Sequence, residues 1–174
     1  SNSLMRGDVD WAKTKAYAYG TGQIYINRQG RERDGPVPAN ESEALAREIA
    51  AKLKGVKDGG KKVFSNVYVG VDVYKGAMAA GRAPDLQLAF HEGFQTSRAT
   101  SLGGIPMGLF SDNKKKWSGD HAASDAADTE GFLLSSMGAL GPDAHIIDLA
   151  PTALGLLGVD VPSTYEGKNL TATK

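Results

Sequence analysis

The stretch Asn40-Glu41-Ser42-Glu43-Ala44-Leu45-Ala46-Arg47-Glu48-Ile49-Ala50-Ala51-Lys52-Leu53-Lys54-Gly55 carries the clearest structural message in the chain. Asn40 can cap a first turn, Glu43 stands at the reciprocal capping-box position, and Glu41 and Glu43 favour the positive end of a helix. Leu45, Ile49 and Leu53 recur every four residues on one face, while Glu43/Arg47 and Glu48/Lys52 are spaced for i,i+4 pairing on the exposed side. Gly55 supplies the stop. The spacing predicts an amphipathic helix, the most clearly encoded element of the chain.

Strand-like runs flank it. Ala16 to Tyr19 and Gln23 to Asn27, separated by Gly20-Thr21-Gly22, read as two short strands or one strand broken by a glycine turn. Arg28 to Pro38 reads as a loop, Val63-Phe64 with Val67-Tyr68-Val69 as a further strand, and Asp85 to Phe90 as another by its alternation. Gly76 to Gly81 looks like a short alanine-rich turn or helix. The long stretch Phe94 to Asp120 is a loop of the kind that is functional or marks where partner sequence is missing. Phe132-Leu133-Leu134 reads as a short buried strand. A closing helix is expected from an Asp148 cap, with Pro151 in its first turn, Leu149, Ala153, Leu156 and Leu157 buried, and Gly158 as its end. Strands alternating with helices argue for an α/β fold, and there is no internal repeat.

Composition narrows the function classes. At 174 residues with 41% hydrophobic content, the chain is long enough for one domain with a core and is not an intrinsically disordered polymer. Twenty basic and 20 acidic residues cancel, so neither a nucleic-acid polymer nor an anionic membrane is an expected partner. The run Lys114-Lys115-Lys116 reads as a solvated loop face. With no cysteine there is no disulfide framework or thiolate chemistry, and the cell compartment stays open. No apolar run approaches the ~18 residues of a membrane span. Ser1-Asn2-Ser3 looks like a tag scar, so residues 1–7 are set aside as scar and extension, and residues 8–174 are read as a single α/β domain or domain fragment. A scar directly ahead of sequence that looks mid-domain suggests a cut piece.

The chemistry-bearing stretch is Trp117-Ser118-Gly119-Asp120-His121, a histidine on a polar loop, with Gly131-Phe132-Leu133-Leu134-Ser135 downstream. Zinc takes about three or four protein ligands, whereas the histidines here are His91, His121 and His145, in no tight pair. His91 reads as an ordinary polar residue, and His145 as help in entering the last helix. Arg98, Thr100 and Ser101 before Gly103-Gly104 could face an anion, but a turn needing glycine dihedrals is the simpler account. Gly20-Thr21-Gly22 lacks the third glycine of a dinucleotide loop. Tyr17, Tyr19 and Tyr25 fit a sheet surface or core better than a base-stacking platform.

Taken with Leu102-Gly103-Gly104-Ile105-Pro106, Asp112-Asn113-Lys114-Lys115-Lys116, Ile146-Ile147-Asp148-Leu149-Ala150-Pro151-Thr152 and the opening Asp10-Trp11-Ala12-Lys13-Thr14-Lys15-Ala16-Tyr17-Ala18, the His121 stretch resembles the C-terminal portion of a type I phosphodiesterase/nucleotide pyrophosphatase of the alkaline phosphatase superfamily. The resemblance runs from about residue 8 to 170. It implies an α/β/α sandwich with a mainly parallel sheet, and a site in which two divalent metal ions, usually zinc, assist a threonine or serine that attacks phosphorus. The family builds that site from an early aspartate, the nucleophile, an Asp-x-x-x-His element, an Asp-His-Gly element and one late histidine.

By that resemblance His121 is the late metal ligand; Asp120 beside it could anchor the loop, hydrogen-bond the ligand or face solvent, and the first two roles are favoured. The other elements have no counterpart: His121 is followed by Ala122-Ala123, and Gln87, Trp117 and Gly141 stand four before the three histidines. The implied partner is therefore a missing N-terminal half, the implied substrate a small phosphate ester, and the isolated chain is expected to be inactive. Residues 34–94 would form a cap-like insertion shaping the leaving-group pocket. The alternative is a non-catalytic binding module that keeps the scaffold of the superfamily.

Overall fold

The computed structural model describes residues 2–3, 7–76, 81–119, 123–138, 140 and 143–171. They divide into two compact units, Ser1–Glu130 and Gly131–Lys174. The first holds β1 (Asn2–Ser3), β2 (Ala16–Tyr19), β3 (Gln23–Ile26), α1 (Ser42–Lys54), β4 (Lys57–Asp58), β5 (Lys61–Lys62), β6 (Phe64–Val69), α2 (Gly70–Val73), β7 (Leu86–Phe90), α3 (Arg98–Ser101) and β8 (Gly104–Ile105). The second holds α4 (Leu149–Leu156), entered through the 3-10 turn Ile146–Asp148.

The main sheet has four strands in the order β2-β3-β7-β6, and every neighbouring pair is antiparallel. The expected mainly parallel α/β/α sandwich is thereby overturned: the first unit is a small α+β fold. The reason lies in how the strands are inserted. β3 and β6, joined through α1, do run the same way, as a β-α-β reading requires, but β7 slots between them and opposes both. The alternation Gln23-Ile24-Tyr25-Ile26 and Leu86-Gln87-Leu88 is that of an antiparallel sheet with one packed face and one open face, whereas parallel strands covered on both sides read as continuous apolar runs.

The packed face meets α1. Ile26, Val67, Leu86 and Leu88 form its centre with Ala46 and Ala50 of the helix, and Ile24, Val69, Leu45, Ile49 and Leu53 close the margins. The deepest helix positions are thus Ser42, Ala46 and Ala50, one step round from the predicted leucine stripe, because small side chains let the helix approach the strands closely. Ile26 and Leu86 have no exposed surface, and burial of such side chains stabilises by about 1.5–3 kcal/mol each.

The helix start differs from expectation. Ala39–Glu41 forms a 3-10 turn and α1 begins at Ser42, with no capping bond from the Asn40 or Glu41 side chain; instead the Ser42 hydroxyl donates to the Ala39 carbonyl at 2.8 Å. The i,i+4 pairs are both present, Arg47 with Glu43 at 2.8 Å and Lys52 with Glu48 at 2.6 Å, and Gly55 is the C-cap. At the β6–α2 junction Gly70 lies against the Pro84 carbonyl, where any Cβ would collide.

Two expectations about the second unit are corrected. Phe132-Leu133-Leu134 is not a strand, and Phe132 and Leu134 are almost fully exposed. In α4 the buried residues are Pro151 and Thr152, while Leu149, Ala153, Leu156 and Leu157 face solvent, because what packs on the helix within the unit is the polar-anchored tail at Leu170. The helix ends as a Schellman turn: the Gly158 N–H donates to Gly155 and the Val159 N–H to Leu154, with Gly158 at φ +69°. Asp148 fixes its entry, accepting from the His145 N–H at 2.9 Å and the Lys168 N–H at 2.8 Å. Among the described residues, no helix is long and apolar enough to cross a membrane.

Candidate functional site

The open face of the sheet is built by residues that alternate with the core. Register places Tyr19 opposite Gln23, Gln23 opposite Gln87, and Gln87 opposite Tyr68, so one row crosses all four strands with a tyrosine at each end and two amides between. Gln23 Nε2 donates to Gln87 Oε1 at 3.1 Å, and Gln23 Oε1 accepts the Thr21 N–H at 2.8 Å across the glycine turn. That turn needs its glycines, Gly20 at φ +78° and Gly22 at φ +98°, and so belongs to a hairpin and not to a nucleotide loop.

Over this row lies the segment 123–129. Ser124 Oγ donates to the Leu88 carbonyl at 2.8 Å, and Gln87 Nε2 reaches Ser124 Oγ at 3.4 Å. The Asp125 carboxylate accepts from the Tyr68 hydroxyl at 3.3 Å and the Ala127 N–H at 3.1 Å. Hydrogen bonds from Ser65, from the Ala127 N–H and from Tyr68 hold its pKa below the ordinary carboxylate value. Between strands and segment an open groove of about 560 Å³ remains. Gln23, Gln87 and Tyr68 form its base, and Val73 and Tyr74 flank it. The Tyr74 pKa is raised, by burial first and by Tyr25 second.

Beside the groove sits a buried charged cluster. Arg31 Nη2 donates to Asp85 Oδ2 at 2.7 Å and to the Ile26 carbonyl at 2.6 Å, its Nε donates to Glu32 at 2.7 Å, and Asp85 Oδ2 also accepts the Ile26 N–H at 2.7 Å. Burial alone would lower the Arg31 pKa, but the bonds to Asp85 and Glu32 outweigh it and raise it. The Arg31 guanidinium lies over the Tyr25 ring at 5.8 Å, and Tyr25 stacks on Tyr17 at 5.5 Å. Burial, then the Glu32 charge, push the Tyr17 hydroxyl up to about 12. Among the described residues, Arg31 Nη1 is buried without a hydrogen-bond partner. Tyr17 and Tyr25 are therefore a sheet-surface pair, as their spacing indicated.

His121 and Asp120 lie outside the described residues, as do residues 77–80 of the alanine-rich stretch. His91 lines a second cavity of about 290 Å³ with Glu92 and Asp128, and its N–H donates to the Val63 carbonyl at 2.9 Å. His145 stands at the entry to the last helix, as expected. Arg98, Thr100 and Ser101 belong to α3, capped by the Ser97 hydroxyl, and Gly103 at φ +73° follows it as a turn. Lys114, Lys115 and Lys116 are exposed. Among the described residues no three His, Asp or Glu side chains gather to hold a metal ion, so the two ions implied by resemblance find no donor set there.

Sequence reading missed the groove and the Arg31–Asp85 pair. The groove had a signal in the polar residues alternating with the core strands; the ion pair, 54 residues apart, had none. Compared with known proteins, the chain matches no family model, and no curated protein or solved structure matches it either.

Proposed function

We propose that the chain is the C-terminal part of a metal-dependent hydrolase of phosphodiester or nucleotide pyrophosphate bonds, to which it contributes His121 as one metal ligand. The observation that supports this reading is the character of the loop leading to that residue. Met107, Leu109 and Trp117 are 94%, 92% and 82% exposed, large apolar side chains that suit the wall of a cleft completed by other sequence better than a solvated loop. The nucleophile and the remaining ligands come from outside this chain, and the polypeptide alone does not turn over substrate.

The test uses the full-length product of the gene, assayed for bound zinc and for hydrolysis of bis(4-nitrophenyl) phosphate. His121→Ala is expected to lower activity by more than about 100-fold, the upper end of what losing even a supporting residue around a metal costs. A folded full-length product without metal or activity, or a His121→Ala variant that matches the parent, would overturn the reading.

A second reading, a non-catalytic binding module, is favoured by the groove, whose described lining contains no titratable acid–base pair. It predicts saturable ligand binding by a full-length product that hydrolyses nothing.

A further inference from the structure

We propose that the β4–β5 hairpin, together with the end of α1, is a docking surface for an acidic peptide segment of another protein. This goes beyond the hydrolase reading and does not depend on it, since no metal, nucleophile or phosphate takes part. In the stretch Lys54-Gly55-Val56-Lys57-Asp58-Gly59-Gly60-Lys61-Lys62, four lysines accompany one aspartate, in a chain whose charges cancel overall. All five charged residues are exposed. Among the described residues none of the five side chains forms an ion pair, and the carboxylates of α1 are committed elsewhere, Glu43 to Arg47 at 2.8 Å and Glu48 to Lys52 at 2.6 Å.

Register gives the surplus charge a shape. Lys57 stands directly opposite Lys62, and Asp58 opposite Lys61. Residues so paired have Cβ atoms about 4.5–5.5 Å apart, and like charges there are destabilising. The lysine pair therefore costs the free hairpin stability, and a carboxylate lodged between the two ammonium groups turns that repulsion into two attractions. The backbone holds the arrangement ready. Gly59 and Gly60 both have positive φ, +53° and +86°, as in the tight hairpin turn whose twist matches its strands. At the base, the Val63 N–H donates to the Val56 carbonyl at 3.1 Å, and Val63 is buried. A surface already ordered loses less entropy on binding. Lys114-Lys115-Lys116 carries similar charge but lies in irregular chain, with no strand or helix to fix it.

The chemistry of the surface selects the partner. No aromatic side chain lies between residues 54 and 62, so nothing there stacks on the bases of a single strand. The segment also has no arginine to grip phosphate with two parallel bonds, and no Trp, Phe or Leu to enter a bilayer. Separate carboxylates along an extended peptide suit separate ammonium point charges.

The test is retention of the chain on a resin carrying a short peptide of alternating aspartate and glutamate, loaded at low ionic strength and eluted with NaCl. The parent is expected to be retarded there, to run unretarded on the asparagine–glutamine version of the peptide, and to elute earlier as salt is added. Lys57→Gln/Lys62→Gln is expected to lower retention several-fold, since one exposed ion pair is worth up to about fivefold in affinity. Lys57→Arg/Lys62→Arg keeps both charges and should be retained like the parent, which guards against a folding defect. Lys114→Gln/Lys116→Gln should lose little. Absent retention, undiminished retention of the hairpin glutamine variant, loss in the arginine variant, or an equal loss in the Lys114→Gln/Lys116→Gln variant overturns the proposal. Stronger retention on an oligothymidylate resin would assign the surface to nucleic acid and overturn it too.

Discussion

Arg31 and Asp85 meet at 2.7 Å with only 14% and 5% of their side chains exposed, tying the loop after β3 to the start of β7. Removing one partner of a buried pair strands the other charge, so Arg31→Met is expected to cost about 3–5 kcal/mol in urea denaturation. The double variant Arg31→Met/Asp85→Asn should be less destabilised, because the introduced amide would keep an acceptor for the Ile26 N–H without a stranded charge. A double variant as unstable as the single one would show that the pair acts through geometry and not through charge.

Tyr17 adds an alkaline limit. Its folded pKa of about 12 lies above the usual 10.0, so its contribution to stability is complete below pH 10 and disappears as pH rises toward 12. Thermal melts of Tyr17→Phe against the parent should diverge below that window and converge through it. Absorbance at alkaline pH should show tyrosine ionisation continuing above the ordinary value of 10.0, since Tyr17 and Tyr74 are both raised.

Asp148 sets the opposite limit. The His145 N–H and then the Lys168 N–H hold its carboxyl below the ordinary value, so its stabilisation is present above the unfolded pKa and is lost as pH falls through the folded one. Asp148→Asn should loosen α4 at neutral pH, and the difference from the parent should shrink in acid. Hydrogen exchange at the Lys168 and Leu170 amides reads this directly.

Ala46 and Ala50 are the buried α1 positions that join the core with the sheet residues Ile26, Val67, Leu86 and Leu88. Ala46→Leu is expected to cost about 1–3 kcal/mol by overpacking. Ala44→Leu, on the exposed side, should be nearly neutral; equal costs would place the helix face elsewhere.

Phe132 and Leu134 are exposed in the second unit, as are Met107 and Trp117 in the first. The chain should therefore bind the dye 8-anilinonaphthalene-1-sulfonate and self-associate in sedimentation velocity. A monodisperse, dye-silent monomer would contradict this.

What could be read in advance follows a physical line. Both strands of the glycine hairpin, α1, β6 and β7 were legible because local alternation and helical periodicity encode them. Strand adjacency was not, since the β-α-β order of β3, α1 and β6 is compatible with a neighbour inserted later in the chain. Side-chain depth also escaped: the leucine stripe of α1 points near the core, but Ala46 and Ala50 reach it. In α4, leucines that periodicity would bury face outward because burial depends on what packs against them. The candidate ligand His121 rests on resemblance alone, whereas the groove depends on a register that only the folded sheet supplies.

The order in which the sheet is assembled also governs how fast it forms. The hairpin and α1 close short loops, but the Ile26 amide must find Asp85 across 59 residues before the central pairing exists. Contacts that distant slow the search, so the hairpin and helix should be present early while the middle of the sheet zips last. Until then, the strand edges destined for β7 stay open to pairing with another copy of the chain.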